Sequence, residues 1–385
     1  MRRILLLSTL VASTVAVAFA QAPAYQVVPL WPKPFPVEKH WILGSVSGLA
    51  VDAQDHIWVV HRGVDSLQNN EKGPTLEPWA SQCCFSAPQV LEFDVAGNLV
   101  ASWDVGSGKG YDWPHDPAGI AIDKQGNVWI AGGLPASNLP ARGRGPAPEG
   151  DAGAAAARGR GRGDAAPAAA RGRGGAPAAP PRPADAEVLK FDKTGKFVSQ
   201  IGKAGQTEGE SSLDRPMGIA VDDAANEVYV ADDGHSRIAV FDAKTGAFKR
   251  AWKGNGSAFH VVSCVKIGKD GMVYVCDREN DRIQIFQKDG TFVKEASVSA
   301  SAKADGSVWD LAWTPDGKYV MVADGQDKKI VILDAKSLSP VGSIGQGGRY
   351  PGEFYAVGSV GVDSKGNVYT GENYDGKRVQ KFVKR

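Results

Sequence analysis

Six stretches of this chain repeat one pattern, and a repeat of this length constrains the fold more than any other feature. They are "VSGLAVDAQDHIWVVHRG", "PAGIAIDKQGNVWIAGG", "PMGIAVDDAANEVYVADDGHSRIAVFDAKTGAFKRAW", "VVSCVKIGKDGMVYVCDRENDRIQIFQKDGTFVKE", "VWDLAWTPDGKYVMVADGQDKKIVILDAKSLSPVGSIG" and "VGSVGVDSKGNVYTGENYDGKRVQKFVKR". The first two are completed, after interruptions, by "PQVLEFDVAGNLVASW" and "AEVLKFDKTGKFVSQIG". Each unit holds four short apolar runs. Turns such as Lys124-Gln125-Gly126-Asn127 and Lys365-Gly366-Asn367 supply the positive-φ residue of a tight bulged hairpin. Runs such as Val228-Tyr229-Val230-Ala231 are apolar at consecutive positions, as in a sheet covered on both faces. Six four-stranded sheets around an axis follow, an all-β six-bladed β-propeller. The last unit stops after its third strand at Phe382, and "HWILG", His40 to Gly44, precedes the first unit where a fourth strand would stand. An N-terminal strand is therefore expected to close the ring in the last blade.

The propeller is expected to span residues 40–385, behind a lead of residues 21–39. Residues 1–20, "MRRILLLSTLVASTVAVAFA", have two arginines, an apolar run and Ala18-Phe19-Ala20, the layout of a cleavable secretory signal. The expected product is secreted or periplasmic, with no membrane span. Residues 137–185 carry eight arginines and four acidic residues among Gly, Ala and Pro, with no apolar periodicity. They read as a disordered insertion within the second blade. Arginine-glycine runs bind RNA in some proteins, but export and a nearly balanced whole-chain charge argue for no nucleic-acid partner.

The repeats resemble NHL-repeat six-bladed propellers from about residue 40 to the end, the insertion apart. His61-Arg62-Gly63 at the end of the first unit's second strand, and "CDRENDRIQIF" in the fourth unit, resemble the peptidyl-α-hydroxyglycine α-amidating lyase family. In that family three histidines hold zinc, at positions that fall here on Ala118, Ser263 and Gly358, none of which ligates zinc as imidazole does. An aspartate linked with calcium would fall on Ser359, and a tyrosine expected after the third unit's second strand has no counterpart in Asp232-Asp233-Gly234-His235. Arg62 matches an arginine that contacts substrate. The resemblance thus implies the fold and a substrate-facing Arg62, without the family's zinc chemistry.

Aligned on the G-I-A-V-D core, Ser47, Ala118, Met217, Ser263, Trp309 and Gly358 ring the mouth of the channel. Arg62 and Arg278 end second strands and, with His61, Trp309 and Tyr355, are the candidate ligand-binding residues: cations and aromatics suit a carboxylate or peptide terminus. The competing reading makes both arginines staples between blades. His115 and His260 each precede a vacated zinc position by three residues, so with His61 or Asp116 they are the candidates for a relocated divalent metal. Asp116, Asp232, Asp233, Asp277, Asp310, Asp324 and Glu372 map to the same face and would suit Ca²⁺, as in lactonase-type propellers. The recurrence of Asp232, Asp277 and Asp324 at one repeat position favours capping of backbone amides instead. Adjacent Cys83 and Cys84 have the option of a vicinal disulfide in an oxidising compartment. With Gly268 to Gly271 as the turn, Cys264 would face Val275, and no bridge to Cys276 is expected. The leading functional expectation is a propeller that binds a small molecule or peptide on its loop face. The alternative is an amidating-lyase-like or lactonase-like enzyme with a relocated metal.

Overall fold

The inner hairpin of each blade is set by short-range hydrogen bonds already implicit in the repeat. Asp123 accepts the amides of Gln125 and Asn127 at 3.1 and 2.8 Å, and its other oxygen takes the Trp129 indole at 3.1 Å. Asp363 does the same for Lys365, Asn367 and the Tyr369 hydroxyl, and Asp52 for Gln54, His56 and Trp58. Gly126 and Gly366 lie at φ +82° and +83°, where a side chain would strain the turn.

The computed structural model describes residues 22–103, 105–106, 110–133, 183–299 and 304–385. It contains six four-stranded antiparallel sheets. The inner strands of blades 1 to 6 are Val46–Val51, Pro117–Ile122, Pro216–Asp222, Val262–Ile267, Asp310–Trp313 and Val357–Val362. Each packs beside the next, and the sixth beside the first, so the ring is closed. The second strands are Ile57–His61, Val128–Gly132, Glu227–Asp232, Val273–Asp277, Tyr319–Asp324 and Val368–Glu372. Among the described residues no helix is long and apolar enough to cross a membrane.

The core is divided among the blade interfaces. Val228 and Val230 pack toward blade 2 while Tyr229 and Ala231 pack toward blade 3's other neighbour, blade 4. That explains the consecutive apolar residues of the second strands: both faces of each sheet are interior, and each fully buried side chain contributes about 1.5–3 kcal/mol.

The closing strand is Tyr25–Val27, which pairs with Val379–Lys384 through Tyr25↔Lys384, Gln26↔Val383 and Val27↔Phe382. This corrects the assignment of His40 to Gly44, and moves the propeller's start into the 21–39 lead. An outer strand lies three strand spacings, roughly 14 Å, from the inner strand of its sheet. The chain between Gly44 and the inner strand at Val46 is too short to cover that distance. Trp41–Ile42 instead pairs in parallel with Phe85–Ser86.

Two further expectations are corrected. In blade 4 the turn runs from Gly268 to Met272, joined by Gly268 N–H to Met272 O at 2.9 Å. The added residue moves the register by one, placing Cys264 opposite Cys276 with Cα atoms 4.9 Å apart in a disulfide. Cys83 and Cys84 are bonded to each other. Residues 183–185 belong to blade 2 and not to the insertion, because Ala184 and Asp185 are buried there and Asp185 accepts two backbone amides. Residues 137–182 lie outside the described residues.

Candidate functional site

Five of the inner strands carry a one-residue register shift, between Val46 and Gly48, Pro117 and Gly119, Pro216 and Gly218, Val262 and Cys264, and Val357 and Ser359. The skipped residues are Ser47, Ala118, Met217, Ser263 and Gly358. A bulged residue has no ladder partner and its side chain is re-aimed, here toward the axis. With Trp309 they line a cavity of about 80 Å³ at the mouth of the channel, completed by Arg62, Arg278, Asn373 and Tyr374.

The bulge also explains the glycine that follows it. A Cβ on Gly119 would stand 2.5 Å from Met217 O, because adjacent inner strands converge on the axis.

Arg62, Arg278 and Asn373 share one repeat position, the first residue after a second strand. Their amides donate to Ser45 O, Val261 O and Ala356 O at 3.0, 3.0 and 2.8 Å, which turns each side chain toward the mouth. The same position is Gly133 in blade 2 and Gly325 in blade 5, and in blade 3 Asp233 is spent on the Val262 amide and Arg215. Polar groups therefore gather on blades 1, 4 and 6.

Arg62 pairs through Nε with Asp116 and donates from Nη1 to Asn373 Oδ1 at 2.9 Å. Burial raises the Asp116 carboxyl and Arg62 draws it back. Arg278 lies over the Trp309 ring at 4.3 Å and meets Glu279 at 3.3 Å, while its Nε is buried without a partner. Tyr374 stands edge-on to Trp309, 5.9 Å between centroids, with φ +48°. Its hydroxyl donates to Asp305 at 3.1 Å, and Ser45 Oγ donates to its carbonyl at 2.7 Å. Burial and Asp305 raise the phenol, and the positive fields of Arg278 and Arg62 oppose them. Ser47 and Ser263 donate their hydroxyls to Val60 O and Val308 O.

The remaining sequence candidates stand elsewhere, for one shared reason. In five blades a side chain accepts the amide two residues before the inner strand. His61 Nδ1 takes Gly44 N–H at 3.2 Å, Asp185 takes His115, Asp232 takes Asp214, Asp277 takes His260 and Glu372 takes Tyr355. His61 is thus a buried structural acceptor and not a ligand residue. Gly63 also donates to its Nδ1, its Nε2 donates to Pro88 O at 2.9 Å, and burial lowers its pKa to about 4. His115, His260 and Tyr355 occupy the amide-donating position, whose backbone turns inward and side chain outward. His115 and His260 are exposed, and Tyr355 lies under Arg349, 4.3 Å from its ring.

His115, His260 and Asp116 accordingly do not converge. Among the described residues the one group of His, Cys, Asp and Glu close enough to share an ion is Asp52, His56 and Glu92. Of the carboxylates considered for Ca²⁺, Asp232, Asp277 and Glu372 cap amides and staple Arg237, Arg282 and Arg378. Asp310 bonds Lys266 at 2.9 Å and the Val360 amide at 3.1 Å. Asp324 departs from the pattern: it takes the Asp327 amide, and its second oxygen is buried without a partner.

Asn373 was missed in the sequence, although its alignment with Arg62 and Arg278 was available as a signal. Tyr374, the next residue of the sixth unit, gave no such signal, since the other units have Gly63, Leu134, Gly234, Glu279 and Gln326 at that place.

A six-bladed β-propeller family model matches residues 183–266. NHL repeat-containing protein 3 of Homo sapiens is 30% identical over 211 residues, covering 51% of this chain and 58% of that protein. Its Mus musculus counterpart is 31% identical over 170 residues, covering 41% and 46%. This chain is a six-bladed β-propeller whose repeats are similar to those of the NHL repeat-containing relatives. It spans about half the length of the curated relatives it matches. A solved streptogramin B lyase is similar in fold alone, with a TM-score of 0.50 and 10% identity over 94% of this chain and 98% of that one.

Proposed function

We propose that this propeller is an exported binding protein that takes a small molecule or peptide by its carboxylate at the channel mouth, without zinc chemistry. The observation that carries the reading is the convergence of Arg62, Arg278, Trp309 and Tyr374 on one cavity. A fixed guanidinium recognises carboxylate by paired hydrogen bonds, and the Trp309 face holds Arg278 in place. Arg62 also matches a substrate-contacting arginine of the amidating lyases, to which the sequence is similar at His61-Arg62-Gly63 and in "CDRENDRIQIF". Two disulfide pairs support export, since disulfides persist in oxidising compartments.

The test is calorimetric titration of the protein with N-acylated amino acids and their matched amides. The acids are expected to bind more tightly than the amides. Arg62→Ala and Arg278→Ala should each cost about 1.5–3 kcal/mol with the acid, the range for a charge-assisted hydrogen bond, and little with the amide. Equal binding of acid and amide, or stoichiometric zinc in the purified protein, would overturn the reading.

A further inference from the structure

Blade 2 holds its entering loop from an unusual place. In blades 3, 4 and 6 the accepting carboxylate ends the second strand, as Asp232, Asp277 and Glu372. The equivalent residue in blade 2 is Gly132, opposite Pro117. Asp185, which follows residues 134–182 in the chain, fills the space instead. A Cβ on Gly132 would lie 2.7 Å from Asp185 Cβ and 3.0 Å from its Cγ.

Asp185 holds two backbone amides where Asp232, Asp277 and Glu372 each hold one and an arginine. Its Oδ1 accepts His115 N–H at 3.0 Å and its Oδ2 accepts Asp116 N–H at 2.9 Å. Asp116 is then fixed on both sides, because its carbonyl accepts Gly133 N–H at 2.8 Å. From that anchored backbone its carboxylate receives Arg62 Nε. We propose that Asp185 is a positioning residue for Arg62: by holding two successive amides it sets the direction of the Asp116 carboxylate, and through it the guanidinium at the mouth.

The functional weight of this link rests on the binding site proposed above, but the link itself is testable without a ligand. Phenylglyoxal modifies arginine, and a carboxylate partner protects it, so the rate at each arginine can be followed by peptide mass mapping of the full chain. Asp116→Asn removes Arg62's charged partner directly and sets the upper rate. Asp185→Ala should speed modification of Arg62 several-fold, toward that limit, while Arg237, Arg282 and Arg378, held by their own carboxylates, keep their rates. Asp185→Asn, which keeps one acceptor oxygen, should fall between and serves if the alanine variant does not fold. An unchanged Arg62 rate in both variants, or a rise shared by all four arginines, would overturn the proposal. If Arg62 follows Asp185 and yet no N-acyl amino acid binds the wild type, the positioning role stands and the carboxylate-binding reading falls.

Discussion

His61 and Asp324 show what one repeat position demands of different residues. His61 replaces a carboxylate with a neutral imidazole, accepting at Nδ1 and donating at Nε2. Its pKa falls to about 4 in the folded state, against about 6.5 in the unfolded chain. The unfolded chain therefore binds more protons between these values, and stability is lost as pH falls from about 6.5 through about 4. Asp324 runs the other way. Burial raises its pKa to about 6, so the folded state is favoured below the unfolded value near 3.9 and loses that advantage as pH rises through about 6. Urea unfolding across pH 4 to 7 separates the two effects. His61→Asn should remove an acid-dependent loss of about 3 kcal/mol. Asp324→Asn should be more stable than wild type by about 3 kcal/mol at pH 7, with most of the gain gone near pH 4. Parallel pH profiles for wild type and both variants would count against these assignments.

At the scale of elements, the strands were legible and their partners less so. Alternation and turn residues locate each inner hairpin, but the Gly268 to Met272 turn is one residue longer than the sequence suggested, and that residue brings Cys264 opposite Cys276. Side-chain facing has a period of two, so one residue reverses every contact. The closing strand is a second case. Tyr25 and Val27 pack with Phe354 and Phe382, in a segment that carries no repeat motif. Deleting residues 22–27 should lower the thermal midpoint and speed amide exchange in Val379–Lys384, whose outer edge would then be open, while leaving the inner strands protected. Unchanged exchange there would mean that this strand does not hold the ring.

For the whole molecule, the stability of a closed ring depends on six interfaces more than on its longest loop. Residues 134–182 leave the second strand at Gly133 and return before Glu187, and Ala131 pairs with Val188, so the two ends are already close. Loop closure costs grow only with the logarithm of length. Replacing residues 134–182 by a short Gly-Ser linker should leave the thermal midpoint within a few degrees. Extending the replacement through residue 185 should lower it clearly, because the His115 and Asp116 amides would lose their acceptor. Equal midpoints for the two deletions would show that Asp185 does not anchor blade 2.

The amino-acid sequence by itself determined the number of blades, their inner hairpins and the ring of residues at the mouth, because each follows from contacts within a unit of some forty residues that is repeated six times. It also held Arg62, Arg278 and Trp309, which sit at repeat-equivalent places. Tertiary structure alone decided which side chains beside them face inward. His115, His260 and Tyr355 looked equally well placed, but their amides are drawn to buried acceptors and their side chains turn away. Tyr374 reaches the cavity only because Ser45 of blade 1 and Asp305 of the loop entering blade 5 hold it there, across the ring closure and far apart in the chain. A repeat encodes what each blade does for itself, whereas the mouth is built where blades meet.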